Sequence, residues 1–418
     1  DGQAMWHGDT IYFLSDRSEA MRNNIWAHDT KSGAKRQVTH FTDVDVRFPS
    51  IGPFDMVFEA AGRLYLMDLA SEKYDEVKVE VVTDQSTLRP AAKDVGKRIA
   101  TSNISPEGKR VVIEARGDVF TLPAEHGPIR NLTRTSGAAE RYPAWSPDGK
   151  WIAYQSDQSG EYQLMIRSAD GGGTARILTD YKSGWRFPPF WSPDSKRIAY
   201  VDEKFVVQIL DVATRKIAEV GKLRLHGPGA LRGQQFTWST DSRWLAFTRL
   251  SENWREVVML HDTKNRKTTQ VTSGFYNDWG AVFGADGDYL FYLSERGVNP
   301  TRSDVDDSWV YVNGTRIAAV RLRQDVTDML ALRNDDEEEE KKEADEKKED
   351  EKKDNEKDAE KKKKKVVDID LDGFEGRAEL LPPKAGRYRG LAAVSGKVLF
   401  VDEPRKGSSG GKASIDFY

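Results

Sequence analysis

The chain has 418 residues, enough to bury more than one hydrophobic core. Its 64 Lys and Arg nearly balance its 68 Asp and Glu, for a formal net charge of −4, so bulk charge gives no reason to expect nucleic-acid or membrane binding. The absence of Cys excludes a disulfide scaffold and thiolate chemistry, and no apolar run is long enough to predict a membrane span.

Two groups of short β-strands are predicted before residue 83. Strand-like runs lie at Ile11–Leu14, Asn24–His28 and Arg36–Thr39, and then at Met56–Glu59, Arg63–Leu69 and Lys78–Val82. Because the pattern is already under way at Met5–Phe13, we expect a piece of a longer protein. Residues 83–98 are polar and include Pro90, so we divide the chain there into domains 1–85 and 86–418.

One phrase organises the second domain. It is clearest at Trp145–Tyr154, where a Ser-Pro-Asp-Gly-Lys turn is followed by an apolar run. Further copies begin at Ile104, Trp191, Trp238 and Phe283, at spacings of 41 to 47 residues. Asp-Gly before such a run indicates a tight turn into a strand. A period of ~40–50 residues with several short strands is that of β-propeller blades, whereas a β-sandwich would not repeat its sequence.

Within each repeat we predict four antiparallel strands, so the fold class is all-β. A strand follows the turn, a second lies near Tyr162–Ile166 in the clearest copy, and an outer strand ends in a Leu-Thr or Val-Thr pair. These closing pairs are Leu132-Thr133, Leu178-Thr179 and Val271-Thr272. Each blade buries its two faces only by stacking between its neighbours.

The region after residue 295 is less regular. We expect Trp309–Val312 and Arg316–Leu322 to be the outer strands of the blade that begins at Phe283. The run 335–365 holds 16 acidic residues, 12 Lys and no hydrophobe larger than Ala, which favours a disordered loop expansion, or at most a solvated helix. A partner-binding tail is the alternative. Leu391–Val401 restarts the blade phrase.

One segment matches a calcium-binding pattern. Asp368–Glu379 fits D-x-D-x-D-G-x5-E, whose carboxylates converge on a hard cation in EF-hand loops. The apolar and acidic alternation of Val366–Leu371 instead predicts an exposed strand, and Pro382 and Pro383 exclude the helix that should follow the loop. We therefore predict no metal site.

Other candidates for chemistry are equally weak. Ser409 lies in a formal G-x-S-x-G at Gly407–Gly411, but the buried strand and the helix of a nucleophile elbow are missing from the pattern, so a hairpin loop is expected. His28 and His261 occupy equivalent places before an Asp, which favours a structural role at a strand end. The remaining histidines are His7, His40, His126 and His226, with no metal-pair spacing. We predict no catalytic, cofactor-binding or metal-binding residue in this chain, and no phosphate loop or nucleic-acid surface.

The turn phrase resembles the TolB-type propeller repeat, and longer stretches narrow the resemblance. These are Ile11–Arg17 with Asn24–Trp26, Gly62–Leu69, Asn299–Asp304 with Thr315–Ile317, Ile369–Gly373 and Tyr388–Leu391. Together they resemble tricorn proteases over essentially the whole chain. The family carries a six-bladed propeller, a seven-bladed propeller, a PDZ domain and a serine-protease core, in that order. The resemblance implies that residues 1–85 are the last two blades of the first propeller and that 86–418 are most of the second.

The resemblance also implies a function. In the family, the propellers act as channels and size filters for peptides, and assembly is into homo-oligomers, typically hexamers. The expected role is therefore substrate gating in a cytoplasmic serine protease that hydrolyses oligopeptides, with the periplasm as the alternative compartment. The family's catalytic residues lie in later domains and none is matched here. Two other readings stay open: the propeller cap of a prolyl-oligopeptidase-type protease, and a non-enzymatic TolB-like module that binds a protein partner.

Overall fold

The computed structural model of the chain describes residues 1–80, 82, 93–224, 230–302, 308–331, 365–406 and 411–418. These residues form two compact units, Asp1–Lys93 and Asp94–Tyr418. Each unit is built from small antiparallel sheets in which consecutive strands are neighbours, which is the predicted blade. We number the blades 1 to 8 in chain order.

Blades 1 and 2 make up the first unit. Blade 1 contains β1 (Gly2–His7), β2 (Thr10–Ser15), β3 (Asn24–Asp29) and β4 (Lys35–Gln37), and blade 2 contains β5 (Val46–Ile51), β6 (Asp55–Ala60), β7 (Arg63–Asp68) and β8 (Tyr74–Glu76). The prediction of an outer strand at Lys78–Val82 is wrong. The outer strand of blade 2 is Tyr74–Glu76 instead, because the Tyr74 ring packs against Phe41, Phe58 and Tyr65 in the core.

Blades 3 to 6 are regular four-stranded sheets in the second unit. Their strands are β9 (Ile99–Ile104), β10 (Arg110–Ala115), β11 (Asp118–Pro123) and β12 (Arg130–Asn131) in blade 3; β13 (Glu140–Trp145), β14 (Trp151–Ser156), β15 (Gln163–Ser168) and β16 (Arg176–Ile177) in blade 4; β17 (Phe190–Trp191), β18 (Arg197–Val201), β19 (Val206–Asp211) and β20 (Ile217–Lys222) in blade 5; and β21 (Phe236–Trp238), β22 (Trp244–Leu250), β23 (Glu256–Asp262) and β24 (Lys267–Gln270) in blade 6. Short 3-10 helices lie at Gly96–Arg98 and Ala230–Gly233.

Blades 7 and 8 contain the insertions. Blade 7 pairs β25 (Asp278–Phe283), β26 (Tyr289–Ser294), β29 (Arg316–Arg321) and β30 (Ala378–Leu380), while β27 (Thr301–Arg302) and β28 (Trp309–Val310) form a separate hairpin. A 3-10 helix at Glu375–Arg377 precedes β30. In blade 8, β31 (Arg387–Val394), β32 (Lys397–Glu403) and β33 (Ser414–Phe417) form a three-stranded sheet.

The outer strands of blade 7 differ from the prediction. Arg316–Arg321 is an outer strand as expected, but Trp309–Val312 is not, and Ala378–Leu380 takes the fourth place. Burial explains the choice: Ile317 and Val320 are fully buried on opposite faces of β29, whereas Trp309 and Tyr311 are largely exposed. The charged run 335–365 therefore separates the third and fourth strands of one blade.

The Ser-Pro-Asp turns of blades 4 and 5 and the Ser-Thr-Asp turn of blade 6 have the same internal bonding. Ser146 Oγ donates to Asp148 Oδ1 at 2.6 Å and accepts the backbone N–H of Trp151 at 2.9 Å. The Ser192–Asp194 and Ser239–Asp241 pairs repeat the first bond at 2.5 Å. Ser and Asp thus close the turn with their own side chains, as these residue types do in local motifs.

These turns are also bonded from one blade to the next. The Asp148 backbone N–H donates to Ser195 Oγ, and the Asp194 N–H donates to Ser242 Oγ, each at 3.0 Å. The next link uses the segment after the charged run, since the Val367 N–H donates to Asp241 Oδ2 at 2.9 Å. A continuous row of hydrogen bonds therefore joins blades 4, 5 and 6 to the return of the insertion.

The tryptophans before the turns make parallel links. Trp191 Nε1 donates to the Ala144 carbonyl of blade 4 at 3.1 Å, and Trp238 Nε1 donates to the Phe190 carbonyl of blade 5 at 3.2 Å. Because the indole rings are buried between the sheets, each Trp contributes both apolar burial and a satisfied polar contact to a blade interface.

The closing pairs lie just beyond the outer strands instead of ending them. β12, β16 and β24 stop one residue before each pair. The Thr hydroxyl then accepts a backbone N–H from the third strand of its blade, at 3.2 Å for Thr133, 2.9 Å for Thr179 and 3.0 Å for Thr272. The adjacent Leu or Val side chain is buried, so the pair pins the end of the outer strand to the blade.

Ser242→Ala tests the bonds between turns. Loss of its Oγ removes the acceptor of the Asp194 N–H, which is worth ~1 kcal/mol, and the exchange of that amide should become roughly fivefold faster. Hydrogen exchange followed by NMR or mass spectrometry measures the rate. Ser159→Ala, at an exposed serine bonded only within its own turn, is the control and should leave it unchanged. Equal exchange rates in both variants would contradict the proposed link.

Candidate functional site

The first strand of each blade forms the candidate site. First strands of neighbouring blades are in contact, as β9 and β13, β13 and β17, and β25 and β31 are. Within the described residues, each first strand has one hydrogen-bonded neighbour in its sheet, so its other edge is unpaired. Two cavities lie along these unpaired edges.

Five of the first strands carry a β-bulge near their start. Register shifts with a positive-φ residue occur in β1, β5, β13, β25 and β31. The residues that take up the positive φ are Gln3 (50°), Phe48 (49°), Tyr142 (55°), Gly280 (65°) and Gly390 (63°). A positive φ is unusual for an aromatic residue, and such strain is concentrated at binding sites and clamps.

Sequence reasoning missed a triplet that accompanies two of these bulges. Arg-aromatic-Pro spans the bulges at Arg47-Phe48-Pro49 and Arg141-Tyr142-Pro143, and a third copy, Arg186-Phe187-Pro188, precedes β17. In blade 4, the buried Glu114 holds the triplet: its Oε2 accepts the Tyr142 N–H and its Oε1 accepts Arg141 Nη1, both at 3.0 Å. Since Pro lacks an N–H, these edges offer fewer donors to a passing backbone.

A cavity of about 500 Å³ lies where the first strands of blades 3 to 6 end. Its wall combines the prolines Pro143, Pro147, Pro188, Pro189 and Pro193 with the aromatic residues Tyr142, Trp145, Phe190, Trp191, Phe236 and Trp238. None of the described residues that line it carries a formal charge. The wall is therefore stiff and mostly apolar, and its described residues include no charged side chain that could bind a passing peptide.

A crevice of about 660 Å³ lies where the first strands of blades 6 to 8 begin. It differs in chemistry from the cavity. Gly233, Gly280 and Gly390 line it without side chains, and its charged groups are Arg224, Arg249, Glu256 and Arg389. The two cavities thus differ in chemistry: one is walled by proline and aromatic residues, and the other is lined by glycine and charged side chains.

The first residue of β13 and of β25 is a buried acidic residue. Glu140 is 1% exposed, and its Oε1 accepts Thr135 Oγ1 at 2.5 Å and Ser156 Oγ at 3.3 Å. Asp278 is fully buried, with Arg296 Nη2 3.3 Å from its Oδ2. Burial raises the pKa of both carboxyl groups, because it disfavours the charged form.

The segment with the calcium-binding pattern uses its carboxylates separately. Asp368 Oδ1 is 2.7 Å from Arg243 Nη1, Asp370 Oδ2 accepts the Gln324 N–H at 2.9 Å, and Glu379 Oε2 accepts the Leu330 N–H at 2.9 Å. These oxygens therefore serve different neighbours. Within the described ranges, no group of three or more potential metal ligands comes together.

The exposed strand predicted at Val366–Leu371 is wrong, because the segment joins no sheet. Val367 is fully buried in the interface of blades 6 and 7, and its carbonyl accepts Trp244 Nε1 at 2.9 Å. Ile369 and Leu371 pack against the same core. The alternation thus comes from a segment outside any sheet whose alternate side chains are buried. A pattern of period two cannot distinguish such a segment from a strand.

The other predicted positions do not line either cavity, or they lie outside the residues that the structure describes. His28 and His261 are each the second-last residue of a strand, as expected. His261 Nδ1 is 2.8 Å from Thr268 Oγ1, and burial lowers the pKa of its ring. Ser409 and the charged run, apart from Lys365, lie outside the described residues. Lys365 Nζ is 2.6 Å from Asp288 Oδ2.

Residues 99–418 match the family described as the tricorn protease second beta-propeller domain. That match covers most of the chain. The chain therefore belongs to the tricorn protease family. A tricorn protease homolog of Saccharolobus solfataricus is 24% identical over 73% of this chain and 27% of the relative, and tricorn protease homolog 1 of Streptomyces coelicolor is 23% identical over 97% and 37%.

A solved structure agrees on the fold. The crystal structure of the tricorn protease aligns with 97% of this chain and 36% of its own, with a TM-score of 0.58 at 17% identity. The chain spans about a third of the length of these tricorn relatives. Among the residues that the structure describes, no helix has the length and apolar character needed to cross a bilayer.

Glu140→Gln tests the buried acid of blade 4. Because burial raises its pKa in the folded state, the fold binds this proton more tightly than the unfolded chain does, and its stability falls as pH rises above the unfolded pKa. The Gln variant should therefore unfold at a higher temperature than the parent at pH 8 and at a similar temperature at pH 4, in thermal scans. Glu161→Gln, at a less buried position, should show no such pH-dependent difference. A lower unfolding temperature for Glu140→Gln at pH 8 would contradict this account.

Proposed function

We propose that this chain is the propeller region of a tricorn-like serine protease that hydrolyses oligopeptides, and that its second unit gates their passage. The observation that carries the proposal is the uncharged cavity of about 500 Å³ walled by prolines and aromatic residues at the ends of the first strands. A passage of this kind suits an extended peptide, whereas a folded domain is too wide to follow it.

The wall chemistry supports passage rather than capture. An extended peptide binds exposed strand edges by main-chain hydrogen bonds, and such pairing would hold it in the channel. Proline at the bulges reduces that pairing, and the absence of charge on the described lining reduces ionic retention. Apolar contact with the rings remains available to any sequence, so passage depends on width more than on side-chain identity.

The domain assignment forms part of the same proposal. We assign residues 1–85 to the last two blades of a six-bladed propeller and 86–418 to most of a seven-bladed one. Exposed apolar sheet faces support this assignment. Leu64 and Leu66 of blade 2 are 45% and 46% exposed, and Ile415 and Phe417 of blade 8 are 74% and 63% exposed, so each face suits the packing of a further blade.

The remaining elements are taken from the family. We propose peptide substrates, assembly into a homo-oligomer, a hexamer in the family's pattern, and a cytoplasmic location, with the periplasm as the alternative. Catalytic residues are proposed to lie in domains other than these blades. A closed passage would then keep the proteolytic site away from folded cellular proteins.

A channel plug tests the gating role. Ser102→Cys places a thiol in the cavity wall, in a 418-residue chain that has no other Cys, and a maleimide-linked polyethylene glycol can modify it. In the whole protease, modification should slow the hydrolysis of peptides of about ten residues at least tenfold, because the polymer fills the passage. A chromatographic peptide assay measures the rate.

Lys216→Cys is the matched control, since Lys216 is exposed between β19 and β20 and lies outside the residues that line the cavity. Its modification should leave hydrolysis unchanged. Equal rates before and after modification at position 102 would show that peptides do not need this passage. That result would favour the binding-module or hydrolase-cap reading.

A further inference from the structure

We propose that the crevice between blades 6, 7 and 8 binds a carboxylate group of an extended peptide, with Arg249 as the anion-binding residue. The inference rests on the proposed function and deepens it. It gives the proposed channel a selective binding site that is distinct from the wall of prolines and aromatic rings. The carboxylate could belong to the peptide's C-terminus or to an acidic side chain, and the two sources are separated below.

The bulges differ in their central residue from blade to blade. The bulge residue is Tyr142 in blade 4, but Gly280 in blade 7 and Gly390 in blade 8. A Cβ at Gly280 would meet only Leu293 Cδ1 at 3.9 Å, and one at Gly390 only Val401 Cγ2 at 3.8 Å. The φ values of 65° and 63° favour glycine at both positions, but the space around them does not demand it. The missing side chains leave backbone open along the crevice, where a peptide main chain can lie close.

The three arginines of the crevice differ in their partners. Arg389 Nε is 2.5 Å from Glu403 Oε1, and Arg224 Nη2 is 4.0 Å from Glu252 Oε1. Arg249 has no carboxylate within salt-bridge distance among the described residues, and its Nη2 donates only to the neutral Gln270 Oε1 at 3.3 Å. A guanidinium without an acidic partner matches a carboxylate, which accepts charge-assisted hydrogen bonds.

The crevice also contains an acidic residue. Glu256 lines the crevice and pairs with Leu250, whereas Arg249 pairs with Val257, so the two side chains lie on opposite faces of the hairpin. Burial, and then the charge of Glu295, raise the pKa of the Glu256 carboxyl. The shift reduces the negative charge that a bound carboxylate would meet. Leu250 and Trp279 also line the crevice and offer apolar contact. The crevice can therefore contact the uncharged part of a peptide as well as its carboxylate.

The test is a binding measurement on the 418-residue chain. Three fluorescein-labelled octapeptides of otherwise matched uncharged sequence are used: one with a free C-terminus, one with a C-terminal amide, and one amide with a central Glu. Fluorescence anisotropy should show the free acid, the Glu peptide or both binding about tenfold tighter than the plain amide, the gain of a charge-assisted hydrogen bond. Whichever peptide gains identifies the source of the carboxylate.

Arg249→Gln should reduce that preference to about twofold or less, because Gln keeps hydrogen-bonding capacity but loses the charge. Arg266→Gln, at an exposed arginine in the outer turn of the same blade, is the matched control and should keep the preference. Circular dichroism verifies that both variants fold. Retention of the full preference in Arg249→Gln would overturn the assignment.

Gly280→Tyr gives an independent test. The positive φ strains a residue with a Cβ, but the fold accepts Tyr at φ 55° in the equivalent bulge of blade 4, so this variant should fold, which circular dichroism verifies, while its ring fills the crevice. It should weaken the carboxylate peptides about tenfold towards the affinity of the plain amide. Unchanged affinity in the folded variant would place the binding elsewhere. Equal binding of all three peptides by the parent chain, or no binding of any peptide, would refute the carboxylate site but leave the channel proposal, which the plug at position 102 tests.

Discussion

The rest of the second unit depends on the hydrogen bonds that join one Ser-Pro-Asp turn to the next. Each turn closes itself through its own Ser and Asp side chains, and this leaves the Asp backbone N–H to bond a serine of the following blade. The buried Trp before the turn donates to the preceding blade in the same interface. The repeated sequence therefore stabilises the interfaces between blades as well as forming the turn. This double role explains why it is the strongest signal in the sequence.

Because these bonds fix the spacing of the blades at one end of the first strands, the other end can vary. The bulges change the residue at the unpaired edge of a blade without disturbing the sheet behind it. Blade 4 carries an Arg-aromatic-Pro triplet at its bulge, and blades 7 and 8 carry glycine. The same scaffold can in this way present an uncharged wall and a charged crevice. The proposed function thus depends on the bulges, whereas the fold depends on the turns.

The sequence predicted the blades well and the site poorly, for identifiable reasons. Turns with Asp-Gly or Asp-Ser act locally, so the strands around Trp151 and Trp244 could be placed from the sequence. The fourth strand of blade 7 could not, since Ala378–Leu380 follows β29 only after the charged insertion and is selected by tertiary packing. The bulges were missed because a positive φ at Tyr142 contradicts local propensity and depends on the buried Glu114. The repeated Arg-aromatic-Pro triplet, which is the sequence signal of the bulges, can be recognised only when the blades are aligned.

The central claim is that these blades guide peptides to a catalytic site that they do not themselves contain. Its most direct test is peptide hydrolysis by the 418-residue chain beside the longer protease that we propose contains it, each treated with a covalent serine-directed inhibitor. The account predicts that only the longer protein cleaves peptides and is labelled, with labelling abolishing cleavage. Hydrolysis and labelling of the 418-residue chain alone would contradict it, and would require a nucleophile within the propeller blades.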